Sequence, residues 1–383
     1  MDYKILMLGG RRSGKTTLLA SILQQLRKIP PILSILDKTN YTQNIMGKEG
    51  LKFLPTLDFK INELEDLILS QSFNREFLVD MSPPYGKSSY LIEVRSNDAV
   101  INLEFINVPG EWMSPIVQEY SYLIDLIKQC DIFVIAIDTP FLMNAVNSET
   151  VIINNVYNRI REITDALLNI NIESHGIDLK RIILCPVKCE KWVRYGKADE
   201  VLHKVKEAYS SLIERYKDIP EVSIEVMPVQ TAGGIESSRL LPAKLYFKNN
   251  DDIIGTVCSE DPDTRLLIRG DGRIFRRRAG SFIDEDICMI VDHVRIPLSW
   301  FRINGSGYSP KYCDQLVYHI LKFLIEKEVC MAKANNNNVL FPFLTPFLNQ
   351  QQQYVPIWLN VIKELDELNL IKYQGDGFEI IKR

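Results

Sequence analysis

The stretch MDYKILMLGGRRSGKTTLLA, Met1 to Ala20, restricts what this chain can become more than any other part of it. Tyr3 to Leu8 is an almost wholly apolar run, the composition of a parallel strand buried on both faces. Gly9, Gly10, Gly14, Lys15 and Thr16 then fall in the spacing Gly-Gly-x-x-x-Gly-Lys-Thr. Thr17 to Ile29 reads as a helix with no internal Gly or Pro. Strand, glycine-rich loop and helix in that order make a phosphate-binding loop, or P-loop. The glycines let successive N–H groups turn inward on a polyphosphate, and the helix aims its positive end at the same anion. With Arg11, Arg12 and Ser13 inside the loop and Thr17 behind it, the expected nucleotide contacts run from Gly9 to Thr17. Lys15 is suited to the β and γ phosphates, and the Thr16 hydroxyl to Mg²⁺.

Composition narrows the setting. A chain of 383 residues can bury more than one core, and 46% hydrophobic with 25% charged residues is ordinary for a soluble globular protein. A net charge of −4 argues against a surface devoted to nucleic acid or membrane. The first apolar run is itself the strand of the phosphate loop, so no signal peptide is expected. Val339 to Leu348 is short and carries two prolines, so it cannot span a bilayer. Seven cysteines without a C-x-x-C pair suggest buried free thiols, Cys130, Cys185 and Cys288 among them, in a cytoplasmic protein. The four histidines are isolated, and no metal cluster is expected.

Further loops come at the ends of further strands. Arg27 to Met81 is mixed, with Phe59 to Ser70 its best helix. Tyr90 to Arg95 and Ala99 to Val108 read as a hairpin turned at Ser96-Asn97-Asp98, because Ile101, Leu103 and Phe105 alternate with Asn102 and Glu104. The hairpin runs into Asn107-Val108-Pro109-Gly110-Glu111-Trp112, then a helix from Ser114 to Gln129. Ile132 to Ile137 is an apolar strand ending at Asp138, and after it comes a long helical stretch, Phe141 to Ile170. Arg181 to Val187 ends in Lys188-Cys189-Glu190. After a helix from Lys197 to Lys217, Ser223 to Val229 ends in Gln230-Thr231-Ala232-Gly233-Gly234. These loops share the carboxyl edge of alternating strands, where ligands bind in open α/β sheets.

In this order and spacing the loops resemble those of the translation-factor-like (TRAFAC) class of P-loop GTPases. The resemblance implies an α/β P-loop NTPase fold, small-GTPase-like, with a mostly parallel sheet and helices on both faces. It implies GTP or GDP and Mg²⁺ as ligands. Asn107 stands where that class has an aspartate holding a Mg²⁺ water, while Gly110, whose N–H meets the γ-phosphate, is in place. Val187-Lys188-Cys189-Glu190 resembles Asn/Thr-Lys-x-Asp. The Glu190 carboxylate would accept from guanine N1–H and N2–H₂, and the Lys188 stem would cover the base face. Thr231 and Ala232 lie in the loop whose backbone touches the guanine oxygen. The phrases VPGEW, PVKCEKW, PVQTAGG and YSPKYCDQ are similar to the bacterial double-GTPase proteins of conflict-system gene clusters, over about two-thirds of the chain. That implies a switch working with encoded protein partners.

Beyond the core the pattern changes. The expected organisation is a GTPase core over residues 1–235 and a β-rich insertion over 236–307. A closing helix takes up 308–328, then a linker and a small C-terminal helix-hairpin module, an α+β extension, over 329–383. The linker reading rests on Asn335 to Asn338 and Gln350 to Gln353. The helix is Pro356 to Leu370, and the hairpin turns at Gly375-Asp376-Gly377. The acidic polar face of that helix favours a docking module over a DNA-reading winged helix.

Three side-chain roles stay open. Glu111 is either a water-orienting residue or an acid favoured by a helix N-terminus. Arg11 either stabilises transition-state charge in cis or faces solvent. The switch hydroxyl that completes the Mg²⁺ shell is Ser88, Ser89 or Thr56. Arg269, Arg273 and Arg276 to Arg278 form a basic patch suited to nucleic acid, an acidic partner or lipid headgroups, or else a solvated hairpin offset by Asp271, Asp284, Glu285 and Asp286. Three functions fit these residues: a GTP-hydrolysing switch, a nucleotide-binding scaffold without fast hydrolysis, and a nucleic-acid-associated NTPase. Protein partners would dock on the switch loops, the β insertion or the C-terminal module.

Overall fold

The structure is a computed structural model. It describes residues 2–10, 13–29, 33–39, 62, 65–66, 76–78, 87–146, 151, 154–155, 157–170, 179–247, 253–258, 264–268, 274–278, 295–303, 308–337, 345–367 and 377–382. In chain order the elements are β1 (Asp2–Leu8), α1 (Lys15–Leu26), β2 (Ser34–Asp37), β3 (Glu76–Leu78), β4 (Ser88–Ser96), β5 (Ala99–Asn107), α2 (Tyr120–Gln129), β6 (Ile132–Asp138), α3 (Thr139–Met143) and α4 (Ile160–Leu167). They continue with β7 (Lys180–Val187), α5 (Glu190–Arg194), α6 (Ala198–Ala208), α7 (Ser210–Tyr216), β8 (Val222–Val226), β9 (Ile235–Phe247), β10 (Ile253–Cys258), β11 (Thr264–Ile268), β12 (Ile274–Arg278), β13 (Arg295–Ile303), α8 (Cys313–Asn337), α9 (Thr345–Glu367) and β14 (Glu379–Lys382).

Among the described residues, eight strands form the main sheet in the order β14-β8-β7-β6-β1-β5-β4-β2. From β8 to β5 neighbours run parallel, while β4, β2 and β14 pair antiparallel at the two sides. β1 is central because its apolar run has no polar face to offer solvent: Ile5, Leu6, Met7 and Leu8 are fully buried. One face of the sheet packs against α1, α8 and α9 through Leu18, Leu19, Leu316, Ile320 and Trp358. The other packs against α2, α4, α6 and α7 through Leu123, Ile163, Val201 and Leu212. This is the α/β P-loop NTPase arrangement expected from the sequence, with helices on both faces.

Among the described residues, a second sheet of six antiparallel strands has the order β12-β11-β10-β9-β13-β3. Four of its strands lie where the short alternating runs predict them. Its last strand does not: β3 comes from between α1 and β4, and its residues Glu76, Phe77 and Leu78 pair with Arg302, Phe301 and Trp300 of β13.

Several elements differ from the sequence reading. The stretch from Phe141 to Ile170 is not one helix. Arg159 sits at φ 53°, a left-handed backbone that ends one helical run before α4 begins. The helix expected to end at Glu328 continues as α8 to Asn337, keeping Val329 and Ala332 buried. Gln350 to Gln353 lies inside α9, since glutamine is a good helix former, and Pro356 also falls within it. At the C-terminus, β14 joins the main sheet beside β8, and the rest of the expected hairpin lies outside the described residues. Also outside are Thr56, Cys288, most of the Phe59–Ser70 helix and the Arg269–Arg273 turn. Cys130 and Cys185 are buried free thiols. No helix among the described residues is long and apolar enough to cross a membrane.

Candidate functional site

The carboxyl ends of β1, β5, β6, β7 and β8 bring the singled-out loops to one edge of the main sheet. Gly9 follows β1 at φ 141° and Gly14 precedes α1 at φ 99°, both in the left-handed region that glycine tolerates. Gly10 has a different reason to be glycine: a Cβ there would lie 1.7 Å from the Tyr157 carbonyl oxygen. The loop is thus pressed against the chain just before α4. Arg11 and Arg12 lie outside the described residues.

Lys15 bends back over this loop. Its Nζ donates to the carbonyls of Gly9 and Gly10, each at 2.8 Å, and the residue is 8% exposed. Burial pushes its pKa down to about 8; the Glu111 carboxylate opposes the shift and the Lys188 ammonium adds to it. Ser13 is buried, and its hydroxyl has no hydrogen-bond partner among the described residues. Thr16 is half-buried beside Asn107, whose Nδ2 donates to its Oγ1 at 3.3 Å. Asn107 itself is 1% exposed, and its Oδ1 has no hydrogen bond among the described residues. Gly110 and Glu111 open a short 3₁₀ turn, Gly110–Met113, with Gly110 buried and Glu111 half-buried. Thr17 is buried in the first turn of α1 and its carbonyl accepts from Ser21.

The other end of the edge is built on β7 and β8. Lys188 adopts φ 58° and its ammonium pairs with Asp138 at the end of β6. Glu190 is the first residue of α5 and 6% exposed. Its Oε1 accepts from the backbone N–H groups of Ala232 at 3.3 Å and Gly233 at 3.4 Å. Burial raises its pKa to about 7; those N–H groups and Lys188 pull the other way. Thr231 is buried, and its carbonyl accepts from Ser21 on α1, which ties this loop to the helix behind the phosphate loop. Ser309 and Lys311 clamp the same loop through backbone bonds to Ala232 and Gln230.

The edge also holds residues that motif reasoning missed. Asn158 is buried and grips both backbone groups of Asp138, accepting from its N–H at 2.7 Å and donating to its C=O at 3.2 Å. Asn154 accepts from Asn158 in turn. The signal was two amides four residues apart on the apolar side of a helical stretch. Asp138, at the end of β6, is turned to Lys188. At the root of the second sheet Glu236, 2% exposed, takes Arg194 from α5 and Arg302 from β13. Among the described residues no group of three or more His, Cys, Asp or Glu could hold a metal.

No protein-family model matches this chain, and no curated protein matches it. Among solved structures it is similar to the GTPase-like domain of Ski7 from S. cerevisiae bound to GDP and inorganic phosphate. Identity there is 12% and the TM-score 0.30, over 80% of this chain and 72% of that one. The same domain bound to GTP gives 10% identity and a TM-score of 0.28, over 79% and 75%. A likeness this slight decides neither ligand nor activity.

Proposed function

We propose that this chain binds guanine nucleotides and hydrolyses GTP slowly, switching conformation for protein partners. The observation that carries it is one sheet edge with two specialised ends. Lys15 stands over a glycine loop at one, and a buried Glu190 stands against the Ala232 loop at the other. A polyphosphate would compete for the Lys15 ammonium with the Gly9 and Gly10 carbonyls, and would take backbone N–H groups from Gly10 to Thr17. Guanine would offer N1–H and N2–H₂ to Glu190 and compete with it for the Ala232 N–H. The Lys188 stem covers the base face, and Thr231 walls it.

The Mg²⁺ that such a site implies fits the residues present. Thr16 Oγ1 and Asn107 Oδ1, which has no hydrogen bond among the described residues, are hard oxygen donors, and a half-turn of the Asn107 amide exchanges Nδ2 for Oδ1 beside Thr16. When bound there it would neutralise charge between the β and γ phosphates. In hydrolysis a water oxygen bonds to the γ phosphorus as the bond to the β–γ bridging oxygen breaks, giving GDP and phosphate. Glu111 orients that water, the Gly110 N–H receives γ-phosphate charge, and Arg11 stabilises charge in the transition state. The resemblance to double-GTPase proteins supports a role beside encoded partners in a bacterial conflict system, within the cytoplasm. Those partners would meet the switch loops, the second sheet or the C-terminal elements.

A hydrolysis-deficient scaffold is the second reading, favoured by an amide at Asn107 where charge normally holds the metal. A Mg²⁺ titration of GTP turnover separates the two. The parent should turn over slowly, and Asn107→Asp should lower the Mg²⁺ needed for half-maximal rate. No turnover in either protein would favour the scaffold.

A further inference from the structure

The Lys188 ammonium is held from two sides. Asp138 Oδ2 accepts from its Nζ, and the Phe301 ring centroid lies 5.9 Å from the same atom. At that separation an ammonium is drawn to the ring face. Neither holder is loose. Asp138 is 3% exposed and its backbone is gripped by Asn158 on both its N–H and its C=O. Its other carboxylate oxygen, Oδ1, is buried and has no hydrogen bond among the described residues. Phe301 is 9% exposed and stands on β13, opposite Ser237 of β9 and Phe77 of β3. Lys188 Cε, between these holders and the main chain, would lie 3.8 Å from a Cβ at Gly14, so the side chain lies close to the end of the phosphate loop.

We propose that Asp138 and Phe301 are positioning residues that fix Lys188 across the nucleoside half of the site, so that the second sheet takes part in base selection. This rests on the guanine-nucleotide reading of the site. A lysine side chain loses much rotamer freedom when it is ordered against a ligand. Anchoring its tip beforehand moves that cost into folding and leaves a preorganised apolar stem for a purine face. Asp138 also balances the ammonium charge, so Lys188 offers the ligand a surface more than a cation. The phosphate half is left to Lys15. Phe301 adds a holder that no P-loop strand supplies, because β13 belongs to the second sheet.

The division of labour can be read with two ligands, GTP and inorganic tripolyphosphate, titrated calorimetrically with Mg²⁺ against the parent, Asp138→Asn, Phe301→Leu and Phe301→Tyr. Asp138→Asn should weaken GTP about ten-fold, since the hold on Lys188 is lost. Tripolyphosphate should bind as well or better, because one negative charge beside the ammonium is gone. Phe301→Leu keeps apolar bulk but loses the ring face, and should weaken GTP about three-fold with tripolyphosphate unchanged. Phe301→Tyr should restore GTP binding. Equal losses on both ligands, or unchanged GTP affinity in both Asp138→Asn and Phe301→Leu, would overturn the proposal. A parent that binds tripolyphosphate as tightly as GTP would instead overturn the guanine reading beneath it.

Discussion

Lys15 is 8% exposed with its ammonium against two carbonyls, and burial holds its pKa near 8. A lysine depressed in this way destabilises the fold while charged, and the penalty fades as pH rises from about 8 towards 10.5. An anionic ligand acts oppositely and raises the pKa of Lys15. Polyphosphate binding at pH 8.5 should therefore take up a proton, and at pH 7 should take up almost none. Calorimetry in two buffers of different ionisation enthalpy measures the uptake, and Lys15→Arg should abolish it. Glu190 titrates with the reverse sign. Its pKa of about 7 exceeds the ordinary 4.5, so its ionisation costs stability progressively from pH 4.5 to 7 and fully above that. Glu190→Gln should stabilise the protein at pH 8, by up to about 3 kcal/mol, with the gain gone near pH 4.5. The same variant should narrow the GTP/ATP affinity ratio, because an amide cannot accept from both guanine donors. Thermal melts across pH and paired nucleotide titrations check the two effects.

At the scale of elements, the strands that reach the site were legible because β1, β6 and β7 are apolar runs with no polar face to place in water. The β4–β5 hairpin was legible from its period of two and its Asn-Asp turn, where Asn97 adopts φ 50°. What packs behind the phosphate loop was not legible. The contact of Tyr157 with Gly10 depends on a helical stretch broken at Arg159, and local composition there favours continuation. The contact has a test. Gly10→Ala drives a Cβ into the Tyr157 carbonyl, so it should lower Tm by several degrees and weaken nucleotide binding together. Gly196→Ala is the control: φ is 70° but no described atom lies within 4 Å, and only about 1 kcal/mol of backbone strain should appear, with binding unchanged. Similar behaviour of the two variants would mean that the loop shifts freely away from Tyr157.

Over the whole molecule, the two sheets are joined at the candidate site. β9 begins one residue after the Gln230–Gly234 loop, and Ser309 and Lys311, beyond β13, return to bond that loop. Glu236 fastens the root of the second sheet to α5 and β13. Strand alternation predicted a β-rich stretch there, but pairing between β3 and β13 joins residues more than two hundred positions apart, and no sequence period encodes such a partner. The candidate residues were legible where a motif fixes type and spacing, as at Gly9–Thr16 and Lys188–Glu190. They were illegible where one buried group needs another, as Asp138 needs Asn158. The central claim is that this edge binds a guanine nucleotide through Lys15. Its most direct test is a thermal-shift panel of GTP, GDP, ATP and tripolyphosphate, with and without Mg²⁺, on the parent and Lys15→Ala. A ligand that binds the folded state raises its apparent stability. GTP and GDP should raise the parent's Tm more than ATP does, Mg²⁺ should enlarge the GTP shift, and Lys15→Ala should stay folded with the shifts lost. Equal shifts in parent and Lys15→Ala, or none with any nucleotide, would contradict the account.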